Sequence, residues 1–148
     1  MNEQSILDAT TVADVMHKGV VTCSLHAPMT DVARKMALNR IHCVVVWNEP
    51  ARNEAAELWG VVSDLDLVKV AATEDLSTHT AGKSAATPAL MVAGDETLRR
   101  AAQMMAEHEM THLVVVDPST MKPVGVLSTL DVSAVLGGVG EPQAASIA

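Results

Sequence analysis

The chain has 148 residues, enough for one compact domain with a proper core, and its 49% apolar content argues against disorder. A formal charge of −8 argues against a nucleic-acid surface, and a chain with no Phe, no Tyr and only Trp47 and Trp59 has no base-stacking platform. No apolar run reaches membrane-spanning length and MNEQSILDATT lacks a basic-then-apolar leader pattern, so a cytoplasmic protein with neither a membrane nor a nucleic-acid partner is expected.

After a lead-in, TVADVM at 11–16, the segment VTCSLHAPMTDVARKM predicts a short strand and then a helix. Met29, Val32, Ala33 and Met36 fall at i, i+3, i+4 and i+7, which draws one apolar helix face; its methionines are core filling. The run IHCVVVW at 41–47 predicts a strand whose unbroken valines suggest cover on both faces or a dry seam. A charged stretch, NEPARNEAAEL at 48–58, reads as a surface excursion before another strand at Leu58–Val62. That strand passes into the phrase GVVSDLDLVKV, which starts at Gly60 and opens a second helix.

The polar linker ATEDLSTHT at 72–80 and a second lead-in, TAGKSA at 80–85, bring the same order back. LMVAGDETLRRAAQMM repeats the apolar face at Leu98, Ala101, Ala102 and Met105, THLVVVD at 111–117 repeats the valine strand, and PSTMKP is a short turn. Val124–Leu127 then leads into GVLSTLDVSAV, the phrase written again from Gly125. The expected fold is α+β, two pseudo-symmetric β-α-β-β-α repeats packed through their sheets into one globule: 1–72 with its lead-in, 73–136, and a loose tail at 137–148.

Cys23 and Cys43 sit beside apolar neighbours on predicted strands and read as buried, inert thiols rather than a disulfide or redox pair. No metal-ligand spacing and no nucleophile with a base and an orienting group is present, so neither a metal nor an enzyme is expected.

The two phrases share Gly, Ser and Asp at fixed offsets: Gly60, Ser63, Asp66 and Gly125, Ser128, Asp131. Ser-x-x-Asp at a helix start matches a capping box, although Glu or Gln is the usual partner of the Ser. The same residues also suit a ribose-phosphate: free N–H groups at the helix mouth for the anion, a hydroxyl for a phosphate oxygen, and a carboxylate for two sugar hydroxyls. A cap needs no glycine at that offset, whereas close approach of another group does. Spacing alone leaves both readings open.

The repeated unit, the helix-then-valine-strand order and the two phrases together resemble a tandem pair of cystathionine-β-synthase (CBS) domains, a Bateman module, over residues 11 to 136. The resemblance implies a regulatory module that binds an adenosine ligand (AMP, ADP, ATP or S-adenosylmethionine) in the clefts between the repeats and signals to a separate protein. It also implies side-by-side association into a homodimer, for which Val32, Met36, Met104, Leu130 and Val135 are candidate face residues. Carried over by residue, Asp66 and Asp131 take ribose hydroxyls, Ser63 and Ser128 contact phosphate, and Gly19–Val20 and Thr87–Pro88 line the adenine. His42 and His112 stand where the family often holds a phosphate-binding Arg, and Val44 and Val114 where a Pro is usual. Histidine there makes phosphate affinity weaker or pH-dependent, and a plain strand-edge role competes with ligation. His17, His26, His79 and His108 have no repeated partner and are expected to face solvent. Arg40, Lys18 and Lys83 are the few cations available to a polyphosphate, a scarcity that favours a monophosphate. The alternative is a scaffold in which the phrases are only caps.

Overall fold

The computed structural model describes residues 2–48 and 57–139. The charged excursion beyond Asn48 and the tail beyond Val139 lie outside the described residues. In chain order the elements are α1 (Glu3–Ala9), α2 (Val12–Val15), β1 (His17–Lys18), β2 (Thr22–Ser24), α3 (Met29–Asn39), β3 (Cys43–Asn48), β4 (Glu57–Ser63) and α4 (Asp64–Thr73). A 3-10 turn at Leu76–Thr78 follows, then α5 (Ala81–Ser84), β5 (Met91–Ala93), α6 (Leu98–His108), β6 (His112–Val116), β7 (Pro123–Ser128) and α7 (Thr129–Leu136). Among the described residues no helix is long and apolar enough to cross a membrane.

Two compact units result. The central one is Val21–Ala89; the terminal one joins residues 2–20 to 90–139. In the central unit β2 lies parallel to β3, and β3 antiparallel to β4. Val44, Val46 and Val62 meet Met29, Val32 and Met36 of α3 there, with Cys23 and Ala81. The terminal unit repeats this with β5 parallel to β6 and β6 antiparallel to β7; Leu113, Val115 and Leu127 meet Leu98, Ala101 and Met105 of α6. Both predicted helix faces therefore face a core, with Ala33 and Ala102 half-buried at the edge. Each fully buried Val or Leu contributes about 1.5–3 kcal/mol relative to exposure. Val32 and Met36 are spent on this core, at 0% and 6% exposure, and so are not available to the dimer face proposed for them from sequence.

The lead-ins cross over. TVADVM, although first in the sequence, docks on the second helix: Val12 N–H donates to Glu96 O at 2.9 Å and Ala13 N–H to Gly94 O at 2.8 Å. TAGKSA docks in the same manner on the first, with Ala81 N–H on Ala27 O and Gly82 N–H on Leu25 O, both 2.8 Å. Val12 and Ala81 are fully buried as a result. The compact units thus divide the chain at 20/21 and 89/90, whereas the sequence repeats run in register with the two phrases.

Each crossed lead-in then lies along the last strand of its unit. β1 pairs antiparallel with β7, Lys18 opposite Gly125, and Ala86 bridges Val61 of β4. A Cβ on Gly125 would stand 2.4 Å from the carbonyl oxygen of His17, and one on Gly60 2.4 Å from that of Ala86. The phrase glycines are required by the chain's own backbone, which is the close approach that a helix cap left unexplained.

Gly60→Ala and Gly125→Ala are each expected to destabilise their unit by about 1–3 kcal/mol through this overpacking. Gly94→Ala, where the nearest neighbour of an added Cβ is 3.5 Å away, should leave stability unchanged or slightly raised. Urea unfolding of the three variants measures the difference.

Candidate functional site

Each phrase sits where a strand becomes a helix. Ser63 ends β4 in extended conformation (φ −91°, ψ 165°) and caps α4; Ser128 ends β7 likewise (φ −109°, ψ 162°) and caps α7. Extended backbone at the Ser leaves its hydroxyl free to turn back onto the helix mouth. Ser63 Oγ accepts from Asp66 N–H at 3.2 Å, while Asp66 Oδ2 accepts from Ser63 N–H at 2.9 Å and from the Ser63 hydroxyl at 3.0 Å. In the terminal unit Ser128 Oγ accepts from Asp131 N–H at 3.2 Å and Asp131 Oδ2 from Ser128 N–H at 2.8 Å. Both phrases form complete capping boxes, with Asp in the place of the usual Glu.

A carboxylate has two oxygens, and each cap uses one. Among the described residues Asp66 Oδ1 has no hydrogen-bond partner, and the residue is half-buried. Asp131 is fully buried, and its Oδ1 also lacks a hydrogen bond. His17 Nε2 stands 3.0 Å from that oxygen, within ion-pair distance but outside hydrogen-bond alignment. Buried polar atoms are nearly always bonded, so a carboxylate oxygen left this way is an exception that calls for an explanation.

The other predicted residues fall into two groups. Gly19 and Val20 follow β1 directly. Gly19 adopts φ +84°, a region glycine tolerates, and its N–H donates to Val124 O at 2.8 Å. Thr87 and Pro88 are exposed and follow the Ala86 bridge, so Thr87 Cγ2 is 3.0 Å from the Cβ position of Gly60. Gly19 is thereby on the Ser128 side and Thr87 on the Ser63 side. His42 and His112 are not equivalent to each other. Cys43 pairs with Ser63, but it is His112 that pairs with Ser128, so the two histidines are one residue out of step, and His42 falls just before β3. His42 Nδ1 lies 3.0 Å from Asp64 Oδ2, and its carbonyl accepts from Asp64 N–H at 2.9 Å. His112 Nδ1 lies 2.9 Å from the Thr111 hydroxyl. Of the candidate cations, Arg40 ends α3 in the left-handed region (φ 53°), Lys18 lies on β1 and Lys83 on α5.

His17 is the functional candidate that sequence reasoning missed. It was expected in solvent because no histidine stands at its place in the other repeat, yet it meets the one buried acid among the described residues. Its signal in the sequence was only its offset from TVADVM. His79 likewise contacts a carboxylate, that of Glu74. Cys23 and Cys43 are free and buried, as expected. Burial, with the charges of Asp64 and Asp66 beside it, pushes the Cys43 thiol up to about 12. No group of three or more His, Cys, Asp or Glu suited to a metal occurs among the described residues.

The model of the CBS domain matches the chain twice, over residues 12–73 and 84–138. The chain belongs to the CBS domain family. Similar solved structures include a CBS domain protein from Pyrobaculum aerophilum complexed with AMP, 28% identical, with 88% of this chain and 98% of that one covered at a TM-score of 0.71. The CBS domain of a bacterial CNNM/CorC family Mg2+ transporter in complex with ATP is 21% identical, with 95% and 94% covered and a TM-score of 0.74. A CBS domain pair in complex with 5-methylthioadenosine and S-adenosyl-L-methionine is also 21% identical, with 87% and 97% covered and a TM-score of 0.73. No curated protein matches the chain. The two CBS repeats are those expected from the duplicated phrase, and the mixed sheets and helices are those of a CBS pair.

Two outcomes follow from the geometry alone. Ser63→Ala and Ser128→Ala should each cost about 1 kcal/mol of stability by removing a cap, read from urea midpoints. With its pKa pushed up to about 12 and its side chain buried, Cys43 stays a thiol at pH 8, so thiol-reactive dyes should label it much more slowly in the folded protein than in urea.

Proposed function

We propose that this CBS pair is a regulatory module that binds an adenosine ligand (AMP, ADP, ATP or S-adenosylmethionine) at its two Ser-x-x-Asp phrases and passes the binding on to a separate partner protein, acting as a homodimer without catalysis of its own. The observation that carries the reading is the oxygen each cap leaves over. Asp66 and Asp131 hold their helix mouths with Oδ2 and keep Oδ1 out of the cap. A ribose presents two neighbouring hydroxyl donors, and a carboxylate oxygen accepts them without dismantling the helix start. Behind each acid the first turn of a helix offers N–H groups and partial positive charge to a phosphate, with Ser63 or Ser128 at its edge. Gly19, Val20, Thr87 and Pro88 are the backbone offered to a base, His112 stands opposite Ser128, and His42 is held by Asp64 in the first turn of α4. Similar structures hold AMP, ATP, or S-adenosylmethionine with 5-methylthioadenosine, all of them adenosine compounds.

Binding can act on a partner only through a difference in affinity between two arrangements of the module. Exposed apolar side chains such as Leu65 and Val68 on α4 and Leu130 on α7 would gain by being covered by a second copy. A second reading has its own observation: both capping boxes are complete, as a scaffold that uses the phrases only as caps would require.

Calorimetric titration with AMP, ADP, ATP, S-adenosylmethionine and NAD separates the two. At least one compound should bind, and at a hundred times its Kd should add about 2.7 kcal/mol of stability, visible as a raised Tm. Asp66→Ala with Asp131→Ala should abolish both signals. Silence of the whole panel in both assays leaves the scaffold.

A further inference from the structure

The two phrases are built alike but covered differently. In the terminal unit His17 stands opposite Val126, the residue after the phrase glycine. In the central unit Ala86 bridges Val61, the residue after the other phrase glycine, and so holds the place of His17. The carbonyls of both residues press on their glycines at the same 2.4 Å from a Cβ position. Their side chains differ. The imidazole of His17 reaches Asp131, with Nε2 3.0 Å from Oδ1, whereas the methyl of Ala86 has nothing to offer Asp66. Asp131 has no exposed surface, whereas Asp66 is half-buried.

We propose that this makes the phrases unequal sites for the vicinal diol of a nucleoside: Asp66 is open to it, and His17 occupies its place on Asp131. The inference rests on the reading of the phrases as nucleoside sites. Asp131 Oδ1 accepts no aligned hydrogen bond, so the imidazole covers this oxygen without satisfying it. Two sugar hydroxyls would satisfy it. His17 is 38% exposed and has solvent to turn into, so the covering is reversible. The Asp66 site therefore fills first, and the Asp131 site fills only as His17 is displaced.

An amide-resolved NMR titration of the full chain with AMP tests this, because each phrase reports separately. In the native sequence the amides from Ser63 to Asp66 should shift with the first equivalent, and those from Ser128 to Asp131 only at concentrations about tenfold higher. His17→Ala should close that gap, strengthening the second site about tenfold (about 1.4 kcal/mol) and leaving the first unchanged. His17→Gln, which keeps a hydrogen-bond donor at the same place, should preserve most of the gap. If both phrases titrate with one Kd in the native chain, or the second site stays weak in His17→Ala, His17 is not what separates them and this inference is overturned while the nucleotide reading stands. Absence of any shift at either phrase with AMP, ADP, ATP or S-adenosylmethionine overturns both.

Discussion

A backbone carbonyl laid against a glycine is the contact on which each unit turns. β7 and β4 would otherwise end their sheets with an open edge, and the lead-in that closes that edge runs so near that no side chain fits beneath it. The closure also places the residues after the lead-in helix beside a helix mouth, His17 at one and Ala86 at the other. Because the lead-in of each repeat docks on the helix of the other, the residue beside each Asp comes from the opposite half of the sequence. Duplication supplied two matching phrases, and the crossing then gave them different neighbours. With the glycine assigned to the fold, Ser and Asp are the parts of the phrase left to carry chemistry.

Local periodicity made most of the fold legible. The faces Met29, Val32, Met36 and Leu98, Ala101, Met105 pack as their spacing indicates, and the valine runs are buried throughout. The caps were legible too, since Ser and Asp three residues apart interact within one turn. What was hidden depends on contacts distant in sequence. The meeting of His17 with Asp131 spans most of the chain and exists only because the lead-ins cross. The pairing of His42 with His112 failed for another reason. Aligning IHCVVVW on THLVVVD matches the most letters but slips the strands by one residue, and only the cross-strand partners Ser63 and Ser128 reveal it. A one-residue slip costs nothing in an alignment and reverses every side chain in a sheet. Val32 and Met36 show the same limit: an apolar helix residue can serve a core or a partner, and the pattern is identical for both.

Completeness of the caps does not by itself decide between scaffold and nucleotide site. An ionised carboxylate offers about four lone-pair positions, and the cap engages those of one oxygen. A ligand hydroxyl at the other adds a charge-assisted bond, worth about 1.5–3 kcal/mol, to a helix start that stays intact. On the proposed reading the cap helps as well, because a carboxylate already fixed in one orientation is not ordered at the expense of binding.

Charge then orders the adenosine compounds on this reading. The mouth of α4 carries Asp64 as well as Asp66 in its first turn, and His42 stands 3.0 Å from Asp64. That imidazole is engaged by a carboxylate and is not a free cation for phosphate, so it replaces a phosphate-binding arginine poorly. Each further phosphate brought to this mouth adds repulsion from two acids, moderated by solvent because Asp64 is 54% exposed. The mouth of α7 has a single acid, Asp131, and Thr129 where α4 has Asp64. The mouth more tolerant of an anion is thus the one that His17 covers, and the open one is the more acidic. A ligand that fills the open site first is therefore recognised by its sugar and base, with one phosphate or a cationic sulfonium tolerated better than a triphosphate.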